Sequence, residues 1–295
     1  MKRKITNFKS PAPANKVGVG LRSPHIPHIL ENSTEVKKKI GWFEIHSENY
    51  YAEGGNSIEL LTKVRKDFPI SLHSVGNSLG SAQKIDLNHL KKLKKLIEII
   101  QPFLISDHIS FGRINGKHLN DLLPLPYNKQ SLEAISDNIS IMQDFLQREI
   151  LIENPSAYLA FKNSEMEEPD FINQVTKKTG CKLLLDVNNI FVSSQNNASF
   201  DSSDYLEKID KKIVREIHLA GHSKSEIFDG KKYQEILIDT HNDLVCDEVW
   251  EIYKNAIKRF GEIPSLIEWD QDIPEFKIFL SEAKKAEKIL KNEKN

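Results

Sequence analysis

The sequence predicts an α/β protein folded as a (β/α)8 TIM-like barrel, and three observations carry that expectation. Eight short apolar runs recur along the 295 residues, and segments with helical spacing lie between them. The runs are rich in Val, Ile, Leu and Phe without clean alternation, as strands buried on both faces are. Eight such strands alternating with helices is the number that closes a parallel barrel. The third observation concerns the main rival, an open dinucleotide-binding sheet, which would carry a GxGxxG turn after an early strand. The stretch "GVGLRSPH" at 18–25 lacks that spacing.

In chain order, the strands are expected in "KVGVGLR" (16–22), "GWFEIHSE" (41–48), "FPISLHSVG" (68–76) and "PFLISDHIS" (102–110). They continue in "EILIENPS" (149–156), "CKLLLDVNN" (181–189), "IVREIHLAGH" (213–222) and "IPSLIEWD" (263–270). Helices are expected in "SIELLTKVRKDF", "DLNHLKKLKKLIEIIQ", "SLEAISDNISIMQDFLQ" and "CDEVWEIYKNAIKRFG", each an apolar stripe against a charged face. Asp86 and Ser131 stand where N-caps belong, and Gly261 where a helix should stop. The closing "PEFKIFLSEAKKAEKILKNEKN" reads as the last outer helix. No composition shift or linker divides the chain. Residues 1–295 therefore read as a single domain, with 1–15 as a flexible or loosely packed N-terminal segment.

Charge and cysteine content narrow the function classes. The 41 basic and 42 acidic residues leave a formal net charge of −1, which gives no electrostatic reason to expect nucleic acid or an anionic membrane as partner. The basic start has no apolar stretch behind it, and no run approaches the roughly 18 apolar residues of a membrane span. Cys181 and Cys246 form neither a CxxC motif nor a disulfide framework, which suits a reducing cytoplasm.

The apolar runs end in polar residues. Their C-terminal ends carry His46 and Glu48; His73; Asp107 and His108; Glu153; Asp186 with Asn188 and Asn189; His218 with His222; and Glu268 with Asp270. Asp239 and His241 add a pair after the seventh strand, where an extended D-x-H would point both side chains the same way. In a (β/α)8 barrel these ends converge on one mouth. Singly, each has an ordinary explanation: a rim histidine with a hydrogen bond, or an aspartate capping the next helix. Together, so many carboxylates and imidazoles in one mouth need cations to pair them. The number of donors exceeds what one ion uses, so two or three ions bridged by carboxylates are expected. Imidazole and carboxylate without thiolate suit Fe, Mn or Zn and do not choose among them.

Ten segments in order, from "GVGLRSPH" and "FEIHSENY" through "LHSVGNSLGS", "SDHISFG", "LLPLPY", "IENPSAY", "LLLDVNNIFVSSQNN" and "IHLAGH" to "IDTH" and "IEWDQDIP", span residues 18–274. They resemble the multinuclear non-haem iron-dependent oxidative enzymes, a family that includes the catalytic subunit of the methanobactin oxidase. The resemblance implies a TIM-like barrel with two or three irons in mixed Fe(II)/Fe(III) states and O2 as cosubstrate. It further implies modification of residues, commonly cysteines, in a ribosomal precursor peptide, and a small partner protein that presents the leader. By the same resemblance His73 and His108 are early ligands, Glu153 a bridging carboxylate, and Asp186, His218 and Glu268 ligands of a further ion. Asp239 and His241 match a D-x-H ligand pair with Asn188 as a weak ligand beside it, while His46 falls beside the ligands. His222 is a candidate for orienting a ligand or touching substrate, or for a loop hydrogen bond. Arg22 is a candidate for holding an anionic group, or for a rim salt bridge. The alternative is a di- or trinuclear Zn or Mn hydrolase or isomerase of the endonuclease IV and xylose-isomerase-like barrels. Those nucleases carry a histidine three residues after the "LD" aspartate, where this chain has Asn189.

Overall fold

The computed structural model describes residues 12–292 except 14–15, 53–55, 115, 198–199, 229 and 231. The expectation of a loose segment over 1–15 therefore falls almost wholly outside the described residues. The chain opens with β1 (Val17–Gly20), β2 (Trp42–His46), β3 (Ile70–His73) and β4 (Ile105–His108). A hairpin follows, β5 (Phe111–Ile114) and β6 (Lys117–Leu123). Next come β7 (Leu151–Glu153), β8 (Lys182–Asp186) and β9 (Val214–Leu219). A second hairpin, β10 (Ser223–Phe228) and β11 (Tyr233–Ile238), precedes β12 (Ser265–Ile267). The closed barrel runs β1-β12-β9-β8-β7-β4-β3-β2, and β1 pairs in parallel with both β12 and β2. Its eight strands are the eight expected runs.

The pleat explains why those runs look continuous yet end in charge. Residues two apart share a face. Phe43, Ile45, Leu72, Ile152, Leu185, Ile217 and Ile267 form one row and pack into the apolar core under the helices. Burying each such side chain stabilises the fold by about 1.5–3 kcal/mol. The other row turns into the barrel, where Glu44 and His46 on β2, Ser71 and His73 on β3, and Glu216 and His218 on β9 meet across the interior.

The outer helices begin with α1 (Ile26–Glu31), α2 (Ser33–Lys37), α3 (Ser57–Asp67), α4 (Leu87–Ile100) and α5 (Lys129–Leu146). They continue with α6 (Glu168–Thr179), α7 (Val187–Asn196), α8 (Ser202–Lys208), α9 (Asp247–Phe260) and α10 (Phe276–Asn292). Asp86 caps α4 as expected, accepting from the Asn88 N–H at 2.8 Å. Ser131 is not a cap. Asn128 takes that place, its Oδ1 accepting the Ser131 N–H at 3.0 Å, so α5 starts within its "NKQS" turn rather than at the serine. Gly261 ends α9 with φ 85°, a conformation that a Cβ disfavours. No helix among the described residues is long and apolar enough to cross a membrane.

Candidate metal centre

Glu153 is the last residue of β7, 1% exposed, and it stands at the middle of the mouth. Its Oε2 lies 3.1 Å from His73 Nε2 and 3.2 Å from His108 Nε2. Its Oε1 faces the other way, 3.8 Å from His218 Nδ1. That nitrogen is 2.9 Å from Glu268 Oε2. Glu153 thus belongs to two compact donor groups, one with His73 and His108 and one with Asp186, His218 and Glu268, each with its donor atoms within 4.8 Å of one another. One carboxylate turned to two groups is the geometry of a bridge.

The elements supply these side chains for local reasons. His73, His108, Glu153 and Asp186 are the terminal residues of their strands, so the pleat that buries the preceding apolar row aims them inward. Asp186 has a second task, since its Oδ1 accepts the Asn189 N–H at 2.6 Å and caps α7. Its Oδ2 is buried with no hydrogen-bond partner. The same is true of Glu153 Oε2 and His241 Nε2. Glu153 Oε2 stands within ion-pair distance of His73 Nε2 and His108 Nε2, and His241 Nε2 within that distance of Asp239 Oδ1, without hydrogen-bond alignment. Buried polar atoms are rarely left so, and this donor set fits cations.

Electrostatics agrees with that fit. Burial holds His73 well below the ordinary histidine range and lowers His108 to about 4, so both stand as neutral imidazoles. Burial raises Glu153 far above the carboxylate range, with Asp186 and Glu268 adding to the effect. Burial also pushes Asp186 up to about 7, helped by the Asp239 charge. Glu268 moves the other way, because His241 and His218 outweigh its burial. Without cations, the Glu153 and Asp186 carboxyls keep their protons to higher pH than an ordinary carboxylic acid does.

The D-x-H pair meets the centre differently from expectation. His241 has φ 48°, and the Thr240 N–H bonds back to Ile238 O at 2.9 Å, so the segment is a tight turn rather than an extended strand. The turn still closes the pair, with His241 Nε2 2.6 Å from Asp239 Oδ1. Asn188 Nδ2 donates to that same oxygen at 2.7 Å, and His241 Nδ1 lies 3.4 Å from Glu268 Oε2. Asn188, Asp239 and His241 are therefore neighbours of the Glu153 groups and make a third cluster beside them. His222 does not reach the donor groups; its Nδ1 is 2.9 Å from Asn188 Oδ1. Arg22 forms a salt bridge with Asp270 and donates to Trp269 O at 2.6 Å, so it braces the end of β12. A cavity of about 590 Å³ opens over the centre, lined among others by His108, Glu153, Tyr158, Asn189, Asp239 and His241.

Three acidic residues and one histidine have larger parts here than sequence spacing assigned. His46 groups with Glu268 and Asp270, and Glu44 and Glu216 group with His218 beneath the centre. The signal for the last two was present. "FEIH" and "REIH" both place Glu two residues before a histidine, hence on the same inward row.

Comparison with known proteins now adds to the geometry. A family model described as "RiPP precursor modification enzyme MbnB/TglH/ChrH" matches residues 16–291. A UPF0276 protein of Vibrio vulnificus strain YJ016 is 44% identical over 275 residues, covering 93% of this chain and 91% of that protein. One from Rhizobium meliloti strain 1021 is 40% identical over 273 residues, covering 92% and 86%. Among solved structures, endonuclease IV from Thermus thermophilus superposes with a TM-score of 0.57 at 14% identity, covering 94% of this chain and 98% of that one. An L-ribulose 3-epimerase gives 0.58 at 11% identity, covering 94% and 95%. At such identities these two likenesses speak for the TIM-barrel fold alone.

Proposed function

The chain belongs to the MbnB/TglH/ChrH family of RiPP precursor modification enzymes, and from that premise we propose a multinuclear iron enzyme that uses O2 to oxidise a residue of a ribosomally made precursor peptide. Cysteine is the proposed target residue. The observation that carries the multinuclear part is Glu153, whose two oxygens face two separate donor groups. His73, His108 and Glu153 would hold one ion, and Glu153, Asp186, His218 and Glu268 a second. Asp239 and His241 with Asn188 would hold or flank a third. When bound, the ions supply the electrons that reduce O2 and the positive charge that deprotonates a peptide thiol.

The chain's own residues do the rest. The cavity over Glu153 has room for a side chain and its flanking backbone. Tyr158 forms part of its wall, and its hydroxyl accepts the Asp239 N–H at 3.0 Å, tying the loop after β7 to the D-x-H turn. The neutral imidazoles of His73 and His108 are ready to ligate without first losing protons. Asp186 is not, because its carboxyl, at about 7, holds a proton below neutrality. A cation must displace that proton and the one burial keeps on Glu153, so apparent metal affinity is expected to rise with pH from 5.5 to 7.5. The slope should be about tenfold per pH unit for each proton released. Metal titrations at pH 5.5, 6.5 and 7.5 check this, and a flat profile would contradict it.

The hydrolytic alternative loses support at Asn189. Its amide donates to Asn154 O at 3.0 Å, and so holds the loop after β7. The substrate reading also implies a small leader-binding partner protein in the cytoplasm. The direct test is O2 consumption by iron-loaded protein with the precursor peptide and partner encoded nearest to it. Peptide-dependent uptake with a mass change on one residue is expected. Absence of uptake together with hydrolysis of abasic DNA would overturn the proposal.

A further inference from the structure

The metal centre leaves two buried carboxylates without a task. Glu44 and Glu216 lie in the barrel interior at 2% and 0% exposure, below the groups around Glu153. Their shared neighbour is His218, whose ring stands between two environments. Nδ1 is 2.9 Å from Glu268 Oε2 and 3.8 Å from Glu153 Oε1, facing the centre. Nε2, which makes no aligned hydrogen bond, is 3.2 Å from Glu44 Oε1 and 3.9 Å from Glu216 Oε1, facing the barrel floor. Glu44 is itself fixed from behind, because the Ser71 hydroxyl donates to its Oε2 at 2.7 Å. A neutral imidazole has one lone pair for a metal, and the partner of one nitrogen decides what the other can do.

We propose that Glu44 is a positioning residue that takes up the Nε2–H of His218 and so presents Nδ1 to the ion held by Glu153, Asp186 and Glu268. The proposal rests on the metal-centre reading above. A carboxylate behind a ligating imidazole fixes its tautomer and makes it a stronger donor. His73 provides the contrast within the same barrel. Its Nδ1 meets a neutral hydroxyl, Ser106 Oγ, at 2.7 Å, while its Nε2 faces Glu153 at 3.1 Å. Only His218, of these two, has carboxyl groups behind it. Glu216 backs Glu44 in the same layer. The trio of Glu44, Glu216 and His218 also has the composition of a separate cation site, and neither oxygen of Glu216 has a hydrogen-bond partner. An ion there would need the same Nε2, however, and His218 would then have to bridge two ions as an imidazolate. One proton on Nε2 meets Glu44 without that demand.

The test uses the full chain stripped of metal and titrated with Zn(II) alone, which accepts the same imidazole and carboxylate donors. Wild type, Glu44→Gln and Glu44→Asp are compared by calorimetry, and the histidine ring nitrogens of the loaded proteins are read by 15N NMR. In wild type, His218 is expected to show a metal-bound Nδ1 and a protonated Nε2. Glu44→Gln should weaken the ion at His218 roughly 10- to 100-fold. It should leave the ion at His73 and His108 in place, which also shows that the variant is folded. Glu44→Asp, which keeps the charge but withdraws it, should fall between. Wild-type Zn(II) affinity in Glu44→Gln, or a metal-bound Nε2 in wild type, would overturn the proposal. Loss of one whole Zn(II) in Glu44→Gln, with His218 Nδ1 still ligated, would also overturn it in favour of a separate cation site. A wild-type protein that takes up no Zn(II) at any of these histidines would sink the metal-centre reading itself.

Discussion

Glu153→Ala is expected to empty the centre of metal while leaving the apoprotein at least as stable as wild type. The metal loss follows from geometry, since Glu153 is the one side chain shared by both donor groups around it. Changing a residue that only orients a ligand costs about 10- to 100-fold in affinity. If those groups hold ions as proposed, removing the carboxylate turned to both should exceed the upper figure at each. The stability result follows from electrostatics. Burial raises the Glu153 carboxyl far above its ordinary range, so the unfolded chain ionises it more readily than the metal-free fold does. In the metal-free fold that group is a cost, and its removal relieves it. Metal analysis with thermal unfolding of the apoprotein checks both halves. Retained metal would refute the bridge, and a large drop in apoprotein Tm would mean that Glu153 is a structural residue.

Gly221→Ala is expected to damage the candidate centre without touching any proposed ligand. A Cβ on Gly221 would sit 2.1 Å from Asp243 O and 2.4 Å from Asp243 C. Both atoms are backbone, so no side chain can swing aside. The end of β9 and the turn that carries Asp239 and His241 would have to separate. Such overpacking costs about 1–3 kcal/mol. A displacement near 1 Å at a reacting site can cost about 100-fold in rate. The variant should therefore show a lower Tm and impaired metal uptake together. An unchanged Tm with full metal content would show that the approach of these two loops is looser than described.

The barrel was legible because its strands are buried on both faces and because its mouth gathers their ends. "KLLLD" and "LIE" state the apolar row and the inward carboxyl in the same few residues. Other features were hidden for physical reasons. β10 and β11 form an exposed two-stranded hairpin whose residues are mostly polar or solvent-facing, so no burial pattern marks them. The D-x-H segment has the spacing of an extended strand but lies in a turn with a left-handed histidine, and composition alone does not separate the two. Glu44 and Glu216 sit inside strands rather than at their ends, where a charged residue reads as an interruption. Their role appears only when the barrel brings β2 and β9 to the same histidine. Asn128 displaced Ser131 as the α5 cap because either residue can accept a backbone N–H there, and the chain enters the helix one turn earlier.

The most direct test of the central claim is metal analysis of anaerobically purified protein, combined with Mössbauer and EPR spectroscopy. The predicted result is two or three irons per chain with a coupled ferrous–ferric signal. Stoichiometric zinc after expression in ample iron, or no bound metal even after reconstitution, would contradict it.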